Sequence, residues 1–173
     1  MILLSASLIC ADLMNIERDV RILEEEGVNL FHLDVCDGHF VESFGFCYQI
    51  ISQLKEITQI PIDVHLTVDN PEKHIDQAAN AGADIITVHP ETSTDLRKSI
   101  RIIHSMGKKA CTAISPTVPI EIVNDVLEEL DMITLLSVSP GYSGQKFMPE
   151  VYGKIAGVHR NAQAHEKLKS LAI

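Results

Sequence analysis

The chain has 173 residues, 46% of them apolar, with 9 Gly and 7 Pro; this composition excludes disorder and describes one globular domain over residues 1–173. Its 14 Lys and Arg against 24 Asp and Glu leave a formal charge of −10, which repels nucleic acid and anionic membrane, so neither is an expected partner. Four scattered cysteines, Cys10, Cys36, Cys47 and Cys111, form no CxxC pair, and the N-terminus carries no basic leader or bilayer-length apolar run. A reducing, cytoplasmic setting is expected.

Along the chain, short β-branched runs alternate with amphipathic stretches about every 23 to 32 residues. Six strands are predicted: 2–8 (ILLSASL), 29–35 (NLFHLDV), 61–66 (PIDVHL), 84–88 (DIITV), 108–114 (KKACTAI) and 132–138 (MITLLSV). Between them, Leu13, Ile16, Val20 and Leu23 recur at helical steps, as do Ile50, Leu54 and Ile57, then Leu96, Ile100 and Ile103, and finally Val151, Ile155 and Val158. Gly27, Gly82 and Gly107 fall where left-handed helix caps are expected, and Pro71, Pro119 and Pro149 mark helix starts. Strict alternation of strand and helix implies an α/β fold with parallel strands and right-handed crossovers.

A doubly wound sheet would carry a glycine-rich turn after its first strand, and SASLICADL has no glycine. Polar residues stand instead at the C-terminal ends of several strands, as in a TIM (β/α)8-type barrel. Such barrels run to about 250 residues, so about six of eight βα units are expected here, with Leu171, Ala172 and Ile173 standing where a seventh strand would begin.

Chemistry concentrates at two places. His32 and Asp34 are two apart on one predicted strand and Asp63 and His65 two apart on the next, so each pair leaves one face, and in a barrel that face opens on the mouth. Two imidazoles and a carboxylate converging there have the composition of a zinc, iron or manganese site. The other reading is of core histidines with satisfied hydrogen bonds and helix-capping aspartates. The second place is SVSPGYSGQKF, residues 137–147, where Gly141 and Gly144 would let backbone N–H groups converge on an anion, or merely shape a turn. Ser7 stands near the end of the first strand, within reach of a substrate hydroxyl or of backbone. HPET, His89–Thr92, would line the mouth or cap the next helix, Asp37 and Gly38 shape a turn, and Cys36 is a small buried thiol or an extra metal contact.

Taken in order, SASLICAD, HLDVCDGHFV, DVHLTVDNP, AGADIITVHPE, SPTVP and SVSPGYSGQKF resemble the successive strand-end motifs of the ribulose-phosphate 3-epimerase family, from residue 5 to about residue 150. HPET is similar to the allulose-6-phosphate 3-epimerase branch. The resemblance implies a TIM-barrel isomerase that inverts C3 of a ketose phosphate, interconverting ribulose 5-phosphate and xylulose 5-phosphate, or allulose 6-phosphate and its epimer. It implies a divalent metal, zinc first, with iron, manganese or cobalt as substitutes. Carried onto this sequence, His32, Asp34 and His65 become metal ligands and Asp34 also the catalytic acid/base. Ser7, His32 and His65 would face the sugar, with Gly141, Tyr142, Ser143 and Gly144 around its phosphate. The metal would lower the pKa of the C3 proton, α to the C2 ketone, and stabilise a cis-enediolate.

Several departures qualify the likeness. The family's second acid, an aspartate at the end of strand 7, has no counterpart, so this chain is expected to be impaired in epimerisation. Cys36, Thr67 and Leu136 stand where methionines are usual, Ala6 where proline is, Ser143 where glycine is, and the loop FVESFG is shorter by about two residues. A non-catalytic paralogue that keeps sugar-phosphate or metal binding is the second reading; a related decarboxylase or aldolase is disfavoured because DVHLT carries no lysine. Uncovered strand edges lead to the expectation of a homo-oligomer.

Overall fold

The computed structural model describes residues 2–164 and 170–172. It contains one curled sheet of parallel strands in sequential order: β1 (Ser5–Ser7), β2 (Leu30–Cys36), β3 (Ile62–Thr67), β4 (Ile85–Val88), β5 (Lys109–Ile114), β6 (Met132–Leu135) and β7 (Ser170–Ala172). The helices α1 (Ile16–Glu25), α2 (Tyr48–Ile57), α3 (Ile75–Asn80), α4 (Leu96–Ser105) and α5 (Val151–Ala164) alternate with the strands. This is a TIM-type barrel short of closure: β1 and β7 each have a single neighbour in the sheet among the described residues.

The strand that sequence only hinted at is present. Ser170 and Ala172 pair with Met132 and Thr134, so the sheet has seven strands rather than six; Ile173 lies outside the described residues. β1 is shorter than expected. Ile2, Leu3 and Leu4 are exposed, pairing to the next strand starts where Asn29 and Leu30 donate to the Leu4 carbonyl, and Leu8–Cys10 turns into a 3-10 segment. β6 ends at Leu135, with one further bond from Leu136 N–H to the Ile114 carbonyl. The stretch opened by Pro119 is a 3-10 segment, Ile120–Glu129.

Helix faces pack as their spacing dictates. Val20, Leu54, Ile100, Ile103, Val151 and Val158 are buried in one core with Phe31, Leu33, Val64, Leu66, Ile86 and Ile133 from the outward face of the sheet. Leu13 departs from the pattern: it precedes α1 and is half exposed. The cap after α3 is made by Gly82 at φ 107°, whose N–H donates to Ala79, a backbone state that glycine adopts without strain.

The opposite sheet face fills the barrel interior. At its N-terminal end Ile85, Cys111 and Met132 pack with Leu30 and Ala172, and above them the inward positions become polar. No helix among the described residues is long and apolar enough to cross a membrane.

Candidate active site

Parallel pairing of β2 with β3 sets Asp34 opposite His65 and His32 opposite Asp63. Both strands turn these side chains inward at the C-terminal end, and three of them meet. His32 Nε2 lies 3.2 Å from His65 Nδ1 and 3.3 Å from Asp34 Oδ1, which is 2.9 Å from His65 Nδ1. Ligand atoms around a cation with bonds of about 2.0–2.2 Å stand roughly 3 Å apart; this triangle has those edges. Among the described residues this is the group of His, Cys, Asp or Glu side chains that could hold a metal ion. Cys36 is not in it.

The supporting partners favour ligation. Asp63, buried on β3, accepts a hydrogen bond from Thr87 at 2.6 Å through Oδ1 and faces His32 Nδ1 at 2.8 Å through Oδ2. With the His32 Nδ1 hydrogen directed at that carboxylate, the lone pair of the neutral ring is left on Nε2, toward the triangle. Burial opposes a charged His32, but Asp63 and Asp34 outweigh it and push the ring up to about 10. Asp34 shows the converse: burial would raise it, yet hydrogen bonds from His32 and His65 hold it well below the usual carboxylate range. Burial, only partly offset by Asp34, lowers His65. Three groups able to accept a proton or a cation thus converge on one point.

Ser7 Oγ donates to Asp34 Oδ2 at 3.3 Å. A cavity of about 270 Å³ opens over these groups, lined by Ser7, His32, Asp34 and His65 at its floor and by Gly141, Tyr142 and Ser143 on its rim. Asp34 is the one carboxylate on that wall among the described residues. Gly144 shapes the same loop at φ 78° but is not on the cavity wall. Gln145 Nε2 donates to the Ser139 and Tyr142 carbonyls and holds the loop in form. Ser43 Oγ donates to the Gly141 carbonyl, tying the FVESFG loop to the glycine loop. Asp37 and Gly38 do shape the turn after β2: Asp37 Oδ1 accepts from the N–H groups of His39 and Phe40, and Gly38 has φ 72°.

His89 does neither thing expected of HPET. It is fully buried, its Nε2 lies 2.9 Å from His65 Nε2, and α4 is capped by Asp95, whose side chain accepts from Lys98 N–H. Behind His89 stand Glu91 and Ser115. Sequence reasoning missed this row because its members end three different strands. The inward parity of β3, β4 and β5 was the available signal.

The family model described as "Ribulose-phosphate 3 epimerase family" matches residues 3–173. Ribulose-phosphate 3-epimerase of Bacillus subtilis is 35% identical over 167 residues, 96% of this chain and 77% of the relative. That of Synechocystis sp. is 35% identical over 161 residues, 92% of this chain and 70% of the relative. Similar solved structures include a mutant tryptophan synthase alpha-subunit from Pyrococcus furiosus, at TM-score 0.67 and 13% identity, covering 99% of this chain and 85% of that one. Citrate synthase SbnG matches at TM-score 0.67 and 12% identity over 99% and 85% of the two chains. At such identities these neighbours establish the barrel fold alone.

Proposed function

Since the chain belongs to the ribulose-phosphate 3-epimerase family, we propose that it acts on C3 of a ketose phosphate, interconverting ribulose 5-phosphate and xylulose 5-phosphate. One observation carries this reading: two imidazole nitrogens and a carboxylate oxygen within 4.8 Å of one another at the mouth of the barrel. His32, Asp34 and His65 would hold a divalent cation, zinc first, then iron, manganese or cobalt. When bound, it supplies Lewis acidity toward the oxygens on C2 and C3.

The chain's own groups do the rest. Asp34, kept ionised by its two histidine partners, accepts the C3 proton on one face and returns it. The C3–H bonding pair passes into the C2–C3 unit as an enediolate. Ser7 orients Asp34 through Oδ2 and reaches the sugar. Backbone N–H groups of Gly141, Tyr142 and Ser143 take the phosphate, which the net charge of −10 would otherwise repel, with Gly144 shaping the loop that presents them. The cavity lies just below the volume range common for small-ligand sites, about 300–1,000 Å³, in keeping with a ketose phosphate. Inversion needs a proton delivered to the opposite face of C3, so exchange and inversion are separate readouts.

The test is to incubate zinc-, iron-, manganese- or cobalt-loaded protein with ribulose 5-phosphate in D2O, following C3 deuteration and xylulose 5-phosphate by NMR, with allulose 6-phosphate in parallel. C3 exchange that disappears in Asp34→Asn is expected. Exchange outrunning inversion assigns proton transfer to Asp34 alone; equal rates require a second acid. Cation and sugar-phosphate binding without exchange would instead mark a non-catalytic paralogue, and the absence of both binding and exchange would refute the proposal.

A further inference from the structure

We propose that Glu91, acting through His89, fixes which nitrogen of His65 carries hydrogen, and so makes Nδ1 of His65 the ligand atom. This rests on the reading above that His32, Asp34 and His65 hold a divalent cation. Neither His89 nor Glu91 is on the cavity wall; both are positioning residues.

His65 is buried and presents its two nitrogens to different surroundings. Nδ1 faces Asp34 Oδ1 at 2.9 Å and Nε2 faces His89 Nε2 at 2.9 Å. Two imidazole nitrogens in contact share one hydrogen, so one ring must donate and the other accept. The contact alone permits either direction. If His89 donated, the neutral His65 would carry its hydrogen on Nδ1, and the ligand position would be blocked.

The direction is settled on the far side of His89. Its Nδ1 lies 3.2 Å from Glu91 Oε1, and an ionised carboxylate only accepts. Ser115 is the other group near that nitrogen, at 3.4 Å, but its hydroxyl hydrogen is directed at Glu91 Oε1. His89 therefore donates from Nδ1 and keeps its lone pair on Nε2. His65 in turn donates from Nε2, which leaves the lone pair on Nδ1 pointing at Asp34 and His32. Packing holds the row in line: the His65 and His89 rings meet end to end, 4.9 Å between centroids and 25° from parallel, and Phe40 packs 4.8 Å from His89. His89 has no exposed surface, so its ring meets protein groups and not bulk water. Asp63 does the same for His32 in one step; Glu91 reaches His65 only through His89, whose ring stands between them.

The experiment is two-bond 15N–1H correlation on zinc-loaded, 15N-labelled full chain, with zinc affinity measured by competition against a chromophoric chelator. Expected are a metal-bound Nδ1 with a protonated Nε2 for His65, and a neutral His89 protonated at Nδ1. His89→Phe should lower zinc affinity about 10- to 100-fold, the range for loss of such a supporting partner. His89→Gln, whose side-chain carbonyl can accept from His65 Nε2–H, should recover most of it. Glu91→Ala, at a partly exposed position, should populate the other His89 tautomer. A wild-type His89 protonated at Nε2, a His65 ligating through Nε2, or a folded His89→Phe protein with unchanged affinity would overturn the inference. Should His89→Phe not fold, the wild-type spectrum and Glu91→Ala decide. Zinc held in the expected tautomers by a protein that exchanges no C3 proton would sink the proposed activity and leave the relay standing; no zinc binding at all would sink both.

Discussion

Replacing Gly45 by alanine isolates how the end of β2 positions Asp34. A Cβ on Gly45 would lie 2.1 Å from the Asp34 carbonyl oxygen and 2.7 Å from the Cys36 nitrogen, both backbone atoms with no freedom to swing aside. Relief demands a shift of about 1 Å, since non-bonded heavy atoms settle above 3 Å. That movement breaks the bond from Phe46 N–H to the Asp34 carbonyl, now 2.8 Å, at about 0.5–1.5 kcal/mol, and adds overpacking of about 1–3 kcal/mol. A total of roughly 2–4 kcal/mol lowers Tm by about 4–16 °C, at 2–4 °C per kcal/mol for a chain of this size. Because Asp34 moves with its backbone, the C3 exchange rate should fall further, by about 100-fold for a 1 Å misplacement. Scanning calorimetry and the deuteration assay read the two effects separately. A Gly45→Ala protein with the wild-type Tm and exchange rate would refute the claim that this close approach positions the carboxylate.

Three other outcomes are expected. With His32 pushed up to about 10, the metal-free site carries a proton at neutral pH that a cation must displace; zinc affinity should rise about tenfold per pH unit from pH 6 to 8, with about one proton released in calorimetry across buffers, and a flat profile would contradict this. Gly153 lies inside α5, where an added Cβ would meet nothing within 4 Å; its conversion to alanine should stabilise the protein by about 0.5–1 kcal/mol, read as a higher urea midpoint. Sedimentation should reveal a homo-oligomer, because Ile2, Leu3 and Leu4 are exposed beside β1, which has one sheet neighbour among the described residues; a monomer at micromolar concentration would count against it.

The fold was legible where local periodicity and burial agree. Ile100 and Ile103 repeat at a helical step and are both fully buried, and His32 and Asp34 alternate with Phe31, Leu33 and Val35 as a strand requires. What escaped the sequence depends on partners far along the chain. β1 shortened because the exposed Ile2 and Leu3 have no core to enter, although their side chains favour strands as strongly as those of β4. Asp63 was visible as a carboxylate, but not as the hydrogen-bond partner of His32, because that follows from the β2–β3 register. His89 read as a mouth or cap residue since a terminal HPET motif says nothing of inward parity on β4.

The barrel interior also explains why so polar a site can exist inside a protein without destabilising it. Inward positions nearest the N-terminal end carry Leu30, Ile85, Cys111 and Met132, an apolar floor that closes the site from below. One step up, Asp63 and Thr87 pair with each other, and another step up lie His65 and His89, in contact with His32, Asp34 and Glu91. Asp63 and Thr87, His65 and Asp34, and His65 and His89 are each paired across adjacent strands, which the parallel register supplies at fixed spacing. At the top of the stack the nitrogens of His32 and His65 and the carboxylate of Asp34 converge. Among the described residues, that is the group of side chains that could hold a metal ion, and it stands at the mouth above the apolar floor rather than within it.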